Sequence, residues 1–152
     1  MSQKQVPPPS TPYGPPILLE ASKKVMAAAE AEATKNNWGV AIAIVDSGGN
    51  VVMLQRLDNA QLSAVRIAEA KARTAVEFRR PTKVLEDAVA GGGVGLRVLT
   101  FGACLAQGGV PIFSGGSIVG GIGVSGAAAE QDAQVAQAGA DALQVANERA
   151  IA

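Results

Sequence analysis

Apolar residues fill both alternating sets of positions along one short segment, which is the pattern of a strand covered on both faces. Val40, Ile42 and Ile44 form one set, and the apolar residues between them form the other. The polar residues 46–50 then supply a turn in which positive φ is tolerated, and residues 51–57 are suited to a returning strand. We therefore predict a β-hairpin of two antiparallel strands.

A second hairpin is predicted inside a glycine-rich stretch that covers residues 91–126. Residues 111–114 and 118–125 are both suited to strands, and the two glycines at 115–116 suit the tight turn between them. A further short strand is expected within residues 96–104. The chain therefore holds four predicted hairpin strands and one additional strand.

Apolar residues at helical spacing, together with capping signals, predict four helices. Their expected ranges are 17–36, 58–78, 82–90 and 127–146. The second helix should end near Arg80, because the residue before a proline disfavours the α region. The element order is helix, hairpin, two helices, hairpin, helix. We therefore predict an α+β fold in three layers, with helices on both faces of an antiparallel sheet.

Two charged residues fall on inward faces of predicted helices, Lys71 in the second helix and Asp132 in the fourth. An ammonium group in such a position must snorkel to solvent, pair with an anion or line a pocket. In a structural pair, Asp132 or Asp46 would supply the carboxylate. Alternatively, Lys71 would grip the carboxylate of a ligand, or take part in base or Schiff-base chemistry. Lys71 and Asp132 are accordingly the candidate catalytic residues.

The glycine-rich segments also suggest places for an anion. Residues 91–95 lack the Gly-Lys-Ser/Thr ending of a phosphate-binding loop, so no nucleotide site is expected there. Residues 123–126 are better placed, because a strand ends there as a helix opens, and free N–H groups attract an anion. Ser125 and Gly126 are therefore candidate ligand-binding residues, although Ser125 is also suited to capping the helix.

Further candidate ligand-binding residues border the second predicted helix or lie on it. Arg56 and Asp58 come just before it and would form either a salt bridge or the polar rim of a pocket. Lys71, Thr74 and Phe78 lie on its inward side. The pocket is expected between this helix and the glycine-rich segment that follows, within one subunit or across a subunit boundary.

The composition excludes several classes of protein. The chain has 152 residues, no histidine and a single cysteine, Cys104. Histidine-dependent catalytic triads, zinc fingers and intrachain disulfides are therefore impossible, and no metal site is expected. Basic and acidic residues number thirteen each and aromatic residues make up 3%, so nucleic acid is not an expected partner.

The first sixteen residues differ in composition from the rest of the chain. Six of the eight prolines lie there, which predicts a flexible arm at 1–16 before a single domain at 17–152. The arm lacks the apolar centre of a secretory signal, and no run of about 18 apolar residues suggests a membrane span. We expect a cytoplasmic protein without a membrane partner. Zero net charge favours a homo-oligomer, in which Tyr13 would anchor the arm on a neighbouring subunit.

Several motifs occur together and in a characteristic order. They are IAIVDSGGN in the first hairpin, RTAVEFRRPT at the end of the second helix, and then GGVPI, IVGGIGVSG, QD and AGADAL. Over about residues 17–145 the chain resembles the GlcG/HbpS family, also called the haem-degrading or DUF336 domain. The resemblance implies homo-oligomers and a profilin-like α/β/α sandwich with a five-stranded antiparallel sheet.

The resemblance implies only a broad function. Some members of the family bind haem, some form the C-terminal part of PduO-type cobalamin-related proteins, and many are encoded beside catabolic enzymes. The residues that match the family motif by type are Arg56, Asp58, Lys71, Thr74, Ser125 and Asp132, and the resemblance assigns them no catalytic roles. Because the chain has no histidine, any haem would need another ligand.

Three functions are therefore considered. The first is binding of a small, anionic organic molecule connected with a catabolic pathway. The second is a lyase or isomerase that acts on an aromatic or hydroxy acid, with Lys71 or Asp132 transferring the proton. The third is a haem carrier or sensor without histidine ligation. The residues favour binding over catalysis, because no activated nucleophile or metal site can be assembled from them.

Overall fold

The computed structural model of this chain describes residues 11–151, with side chains described from 11 to 144. The strands are β1 (Ala41–Asp46), β2 (Val51–Arg56), β3 (Gly109–Ser114) and β4 (Ser117–Ser125). The helices are α1 (Leu19–Lys35), α2 (Ser63–Phe78), α3 (Thr82–Ala90) and α4 (Ala129–Ile151), with a 3₁₀ helix at Gly93–Thr100. Neighbouring strands are antiparallel, in the order β2-β1-β4-β3. The α+β class is confirmed.

The five-stranded sheet predicted from the resemblance is wrong, because the described residues form a sheet of four strands. The strand expected within residues 96–104 is replaced by the 3₁₀ helix. Gly92 breaks the chain direction with a φ of 69°. A Cβ on Gly95 would collide with the carbonyl oxygen of Ala88, so the segment lies tightly on the end of α3 instead of extending beside β3.

Residues 11–17 run beside β4 beyond the point where β1 ends. The amide of Gly14 donates to the carbonyl of Ile118 at 2.9 Å, and a single parallel bridge joins Tyr13 to Ile118. The Tyr13 hydroxyl donates to the carbonyl of Val76 at 2.7 Å within the same chain. The first ten residues of the predicted arm lie outside the described residues.

The sheet has one face of large side chains and one face of small ones. Ile42 and Ile44 of β1 pack on the side of α1 and α4, with a core that includes Val25, Met26, Ile112, Ile122, Val124 and Val135. Ala41 and Ala43 face α2, which meets them with Ala64, Ala68, Ala72 and Val76. The strand is therefore covered on both faces, as its double apolar pattern predicts.

Glycines on β4 let α2 lie very close to the small-residue face. A Cβ on Gly123 would collide with the carbonyl oxygen of Ala68 and would lie 2.5 Å from the amide nitrogen of Ala72. A Cβ on Gly121 would lie 2.6 Å from the Ala72 carbonyl oxygen. These distances are too short for any real side-chain carbon, so the backbone of α2 occupies the place of two side chains.

Substitution of Gly123 by alanine tests this close packing. The backbone of Gly123 has no positive φ, so the added methyl group acts through the collision with α2 alone. We expect Gly123→Ala to lower the free energy of unfolding by about 3 kcal/mol. Gly91→Ala is the matched control, because its φ is −72° and its nearest contact would be 3.5 Å. Urea unfolding checks both variants, and equal stability of the two would contradict the packing argument.

Candidate functional site

The ammonium of Lys71 is buried at the junction of α2, β4 and α4. Lys71 is 2% exposed, and its Nζ donates to the carbonyl of Val124 at 2.8 Å and to Oδ2 of Asp132 at 3.1 Å. The other candidate partner, Asp46, instead accepts from the amides of Gly48 and Asn50 in its own turn. Of the two carboxylates considered from the sequence, Asp132 is therefore the one that pairs with Lys71.

Asp132 also satisfies the backbone where α4 begins. Its Oδ1 accepts the amide of Ala127 at 2.9 Å, and Oε1 of Gln131 accepts the amide of Ala128 at 3.1 Å. The sequence predicts an anion beside Ser125 and Gly126, and a carboxylate of the chain itself occupies that position. The amides of Ala127 and Ala128, which directly follow Gly126, are thus already partnered by side chains of α4.

The pair is enclosed, and its burial changes the acidity of Asp132. Burial raises the pKa of the Asp132 carboxyl above its ordinary value of 3.8, while the Ala127 amide and the Lys71 ammonium act in the opposite direction. Gly108 covers the pair, since a Cβ there would lie 2.8 Å from Nζ of Lys71. This arrangement is suited to joining three elements, and solvent does not reach it.

The remaining predicted residues lie in two other places. Arg56 and Asp58 are exposed, and within the described residues neither side chain forms an ion pair. Thr74 accepts the amide of Cys104 at 2.9 Å through Oγ1, and Phe78 stacks on Phe101 with ring centroids 6.1 Å apart. Thr74 and Phe78 therefore hold the segment that follows the 3₁₀ helix against α2.

Within one chain, the backbone of α2 lies too close to the start of β3 and to β4 at Gly109 and Gly123 to leave a ligand space there, where the sequence suggests a pocket. A Cβ on Gly109 would collide with the carbonyl oxygen of Lys71, just as one on Gly123 would collide with Ala68. The space lies instead on the other side of the β3 start. Gly108 and Gly109 form part of the wall of that space and separate it from the Lys71–Asp132 pair.

Two adjoining hollows form what we call the α3–α4 groove. It runs between the start of α3, the start of β3 and the middle of α4. The hollow nearer Gly108 has a volume of about 290 Å³, and the hollow nearer Thr11 has a volume of about 320 Å³. Pro81, Val110 and Gln137 line both hollows. Apolar side chains, glutamines and three basic residues make up most of its wall. Among the side chains described up to residue 144, none of those that line either hollow is acidic.

Two arginines at the end of α2 give this groove its charge. Nη1 of Arg79 donates to the carbonyl of Thr11 at 3.3 Å, and its guanidinium lies 5.4 Å from the centre of the Tyr13 ring. Nε of Arg80 donates to the carbonyl of Phe78 at 2.8 Å. Neither guanidinium has a carboxylate partner among the described side chains.

The third basic residue of the groove, Lys83, is already paired. Its Nζ lies 3.0 Å from Oδ1 of Asp87, one turn further along α3. The pair is exposed, and such pairs contribute little to stability. The positive charge that remains available to a ligand is therefore that of Arg79 and Arg80.

Neither arginine is among the ligand-binding residues predicted from the sequence. In the sequence they belong to a basic run and mark the end of a helix before Pro81. Arg79 adopts a left-handed conformation with a φ of 54°, which turns the chain from α2 into α3 and brings both side chains to the groove. The sequence feature that could have pointed to these two residues is their position at the end of a helix, directly before a proline.

A larger hollow lies elsewhere, between residues 15–21 and the far ends of β3 and α4. Its volume is about 560 Å³, and its charged lining residues are one acid, Glu20, and one base, Lys24. Its wall is otherwise mainly apolar. It offers no unbalanced charge, so we place the candidate site in the smaller α3–α4 groove.

The structure is that of a small α+β domain with a cationic, partly apolar groove beside an antiparallel sheet. Residues 17–141 match the family described as haem degrading protein HbpS-like, and the chain belongs to this family. No helix among residues 11–151 has the length and apolar character needed to cross a membrane.

Relatives and solved structures agree with this assignment. Protein GlcG of Escherichia coli K12 is 42% identical over 72% of this chain and 81% of its own length. The crystal structure of Klebsiella pneumoniae ORFY, a DUF336 protein, is 32% identical and superposes with a TM-score of 0.79, covering 88% of this chain and 94% of that one. A PduOC–haem complex is 30% identical with a TM-score of 0.75, covering 84% and 94%.

Substitution of the buried pair tests whether it is structural. In Lys71→Met the Asp132 carboxylate and the Val124 carbonyl lose their partner, and we expect a loss of about 3–5 kcal/mol in the free energy of unfolding. In the double variant with Asp132→Asn, the amide oxygen can still accept from Ala127 and no charge is left unpaired, so most of that loss should be recovered. Chemical unfolding of the three proteins checks this. A double variant no more stable than Lys71→Met would contradict it.

The raised pKa of Asp132 predicts a specific pH dependence. As the pH rises above 3.8, the unfolded chain loses the Asp132 proton before the folded chain does, so this group lowers the free energy of unfolding. Lys71→Met removes a group that lowers this pKa, so the decline should extend to higher pH. The difference between Lys71→Met and the wild type should therefore be small at acid pH and grow towards neutrality. A difference that stays constant in urea unfolding from about pH 3 to 8 would contradict this.

Proposed function

We propose that this protein binds a small anionic organic molecule in the α3–α4 groove. The observation that carries the proposal is the presence of Arg79 and Arg80 at a groove in which, among the side chains described from 11 to 144, no carboxylate pairs with either arginine and no acidic residue forms part of the wall. A guanidinium presents a planar set of donors that matches a carboxylate. An anion would therefore complete an arrangement that the described chain leaves open.

The walls of the groove favour an organic body behind the anionic group. Val84, Pro111 and Phe113 line the hollow that contains the arginines, and Phe113 is 38% exposed. Gln137 donates its amide to Asp141 at 2.7 Å, so its carbonyl oxygen is left to accept from a ligand hydroxyl. These features suit a hydroxylated or aromatic carboxylic acid.

The Lys71–Asp132 pair has a positioning role in this proposal. It ties the β4 end and the α4 start to α2, behind the wall that Gly108 and Gly109 form. The alternative of a lyase or isomerase needs a proton-transfer group in contact with substrate. Lys71 and Asp132 are 2% and 3% exposed and are bonded to each other, which supports binding without catalysis.

Haem is a second candidate ligand, because a PduOC–haem complex is among the structures similar to this chain. Cysteine, methionine and tyrosine, which hold haem iron in other proteins, do not line the groove in the described chain, and Lys83, which does, is paired with Asp87. Met26 is buried in the core, Met53 packs against that core, and Cys104 lies beside Thr74. The groove residues therefore fit the carboxylates and the apolar surface of a porphyrin, and they do not fit its iron.

Two sets of titrations test the proposal. Binding of the fluorescent anion anilinonaphthalene sulfonate, and its displacement by benzoate, should weaken about tenfold in Arg79→Gln and in Arg80→Gln, because each loses one charge-assisted contact. Arg66→Gln, an exposed change on α2 outside the groove, is the control and should bind normally. Thermal melts establish that each variant is folded. Displacement by benzoate that is unaffected in both groove variants would contradict the proposal.

The proposed mode of haem binding is tested by comparing haem with a porphyrin that contains no iron. Haem and metal-free protoporphyrin should bind with affinities within about threefold of each other, because no contact to iron is available, and both should weaken in Arg80→Gln. Absorbance titration measures both. If haem bound far more tightly than protoporphyrin, a contact to the iron would exist and this account of the haem site would be wrong. The proposed carboxylate site would still be tested by the two arginine variants.

A further inference from the structure

We propose that the hollow of the α3–α4 groove nearer Gly108 binds the hydroxylated end of the ligand, which is therefore an elongated hydroxyaryl carboxylic acid. This inference rests on the proposed function, because it takes the ligand carboxylate to lie at Arg79 and Arg80. It adds a second subsite and gives the ligand a direction along the groove. The hollow is lined by three amide side chains, those of Gln107, Gln134 and Gln137.

Two of these glutamines are held with their carbonyl oxygens unpartnered. Nε2 of Gln134 donates to Oε1 of Glu32 at 2.7 Å, and Nε2 of Gln137 donates to Oδ1 of Asp141 at 2.7 Å. Because a carboxylate only accepts, each contact must be made by the amide nitrogen, which fixes how the amide is turned. Within residues 11–144, Oε1 of neither glutamine accepts a hydrogen bond. Both oxygens are therefore left to accept from a donor on the ligand.

The third glutamine adds a polar group from the loop before β3. Gln107 is half-buried, and its side chain makes no hydrogen bond within the described residues. Amide groups match hydroxyl groups, because a hydroxyl both donates and accepts. An apolar ligand end in this hollow would displace water from the amides without replacing its hydrogen bonds. The hollow is therefore suited to hydroxyl groups.

Negative charge beside this hollow keeps the ligand carboxylate away from it. Glu32 and Asp141 hold two of its glutamines, and Asp87 pairs with Lys83, the cation in its wall, at 3.0 Å. A carboxylate placed here would approach like charges and would compete with Asp87 for a cation that is already paired. The other hollow offers two arginines without carboxylate partners among the described side chains. The ligand carboxylate therefore belongs in that hollow.

The wall between the two subsites is apolar. Pro81 and Val110 line both hollows, and α4 contributes an alanine to each. Hydroxyl groups along this part of a ligand would lose water without gaining a partner, which disfavours a sugar acid. Gln134 lines one hollow and Gln144 lines the other, and α4 rises about 15 Å between them. A ring joined to its carboxylate by a short apolar chain suits both the length and the polarity.

Calorimetric titration with cinnamate and caffeate tests the second subsite, because caffeate is the same acid with two adjacent ring hydroxyls. Caffeate should bind the wild type about tenfold more tightly, since its hydroxyls can donate to the glutamine oxygens. The dimethyl ether of caffeate, whose ring oxygens cannot donate, should bind no more tightly than cinnamate. Equal affinities of caffeate and cinnamate for the wild type would overturn the proposal.

Glutamine variants show where the hydroxyls bind. In Gln134→Leu and in Gln137→Leu, the advantage of caffeate over cinnamate should fall from about tenfold to about twofold, because one acceptor is lost. Gln61→Leu is the matched control, an exposed change outside the groove, and should keep the full advantage. Thermal melts establish that each variant is folded. An advantage that stays near tenfold in both groove variants would also overturn the proposal.

Arginine variants separate a failure of this subsite from a failure of the proposed function. Arg80→Gln should weaken cinnamate and caffeate alike by about tenfold and leave their ratio unchanged. If Arg80→Gln weakens cinnamate but caffeate has no advantage in the wild type, the second subsite is wrong and the proposed function stands. If Arg79→Gln and Arg80→Gln bind both acids as the wild type does, the proposed function itself is wrong, and the direction of the ligand is wrong with it.

Discussion

The ammonium of Lys71 on α2 is stabilised by hydrogen bonds to groups on β4 and α4, and these bonds hold the three elements together. It reaches the carbonyl of Val124 and the carboxylate of Asp132 because α2 lies almost in backbone contact with β4. An unpaired charge in such a position would cost several kcal/mol. Glycine is therefore required at positions 108, 109, 121 and 123, because any side chain there would displace the helix or the ammonium.

This constraint also explains why the candidate ligand site lies where it does. The small-residue face of the sheet is filled by α2, and the large-residue face is filled by α1 and α4. Space remains where α2 ends, because Arg79 turns the chain and α3 leaves the sheet. The groove formed there is bordered by the same Gly108–Gly109 backbone that covers the buried pair.

Much of this arrangement could be predicted from periodicity, and the exceptions have physical reasons. The helical spacing of α2 placed Lys71 on the inward face, and the turn signals placed both hairpins. A short strand was predicted within residues 96–104, where the structure instead has part of the 3₁₀ helix 93–100, because apolar residues between glycines suit a strand and a tight helix alike. The contact of this helix with α3 through Gly95 depends on a partner that local sequence does not reveal.

The site was harder to predict than the fold. The inward charges Lys71 and Asp132 carry a clear signal of burial, but burial does not distinguish a structural pair from a reactive one. Arg79 and Arg80 carry no periodic signal, because they follow the last turn of α2 and precede a proline. Only the left-handed turn at Arg79 brings them to the groove, and that conformation belongs to the tertiary structure.

Lys71 is a buried cation that is paired within the fold, whereas Lys83 lines the groove proposed for the ligand. Brief acetylation of the native protein, followed by mass spectrometry of its peptides, measures this difference directly. Lys71 should stay unmodified while the exposed Lys23 and Lys83 react, and saturating benzoate should slow the reaction of Lys83 without changing that of Lys23. Rapid acetylation of Lys71, or a rate of Lys83 acetylation that benzoate does not change, would contradict this assignment.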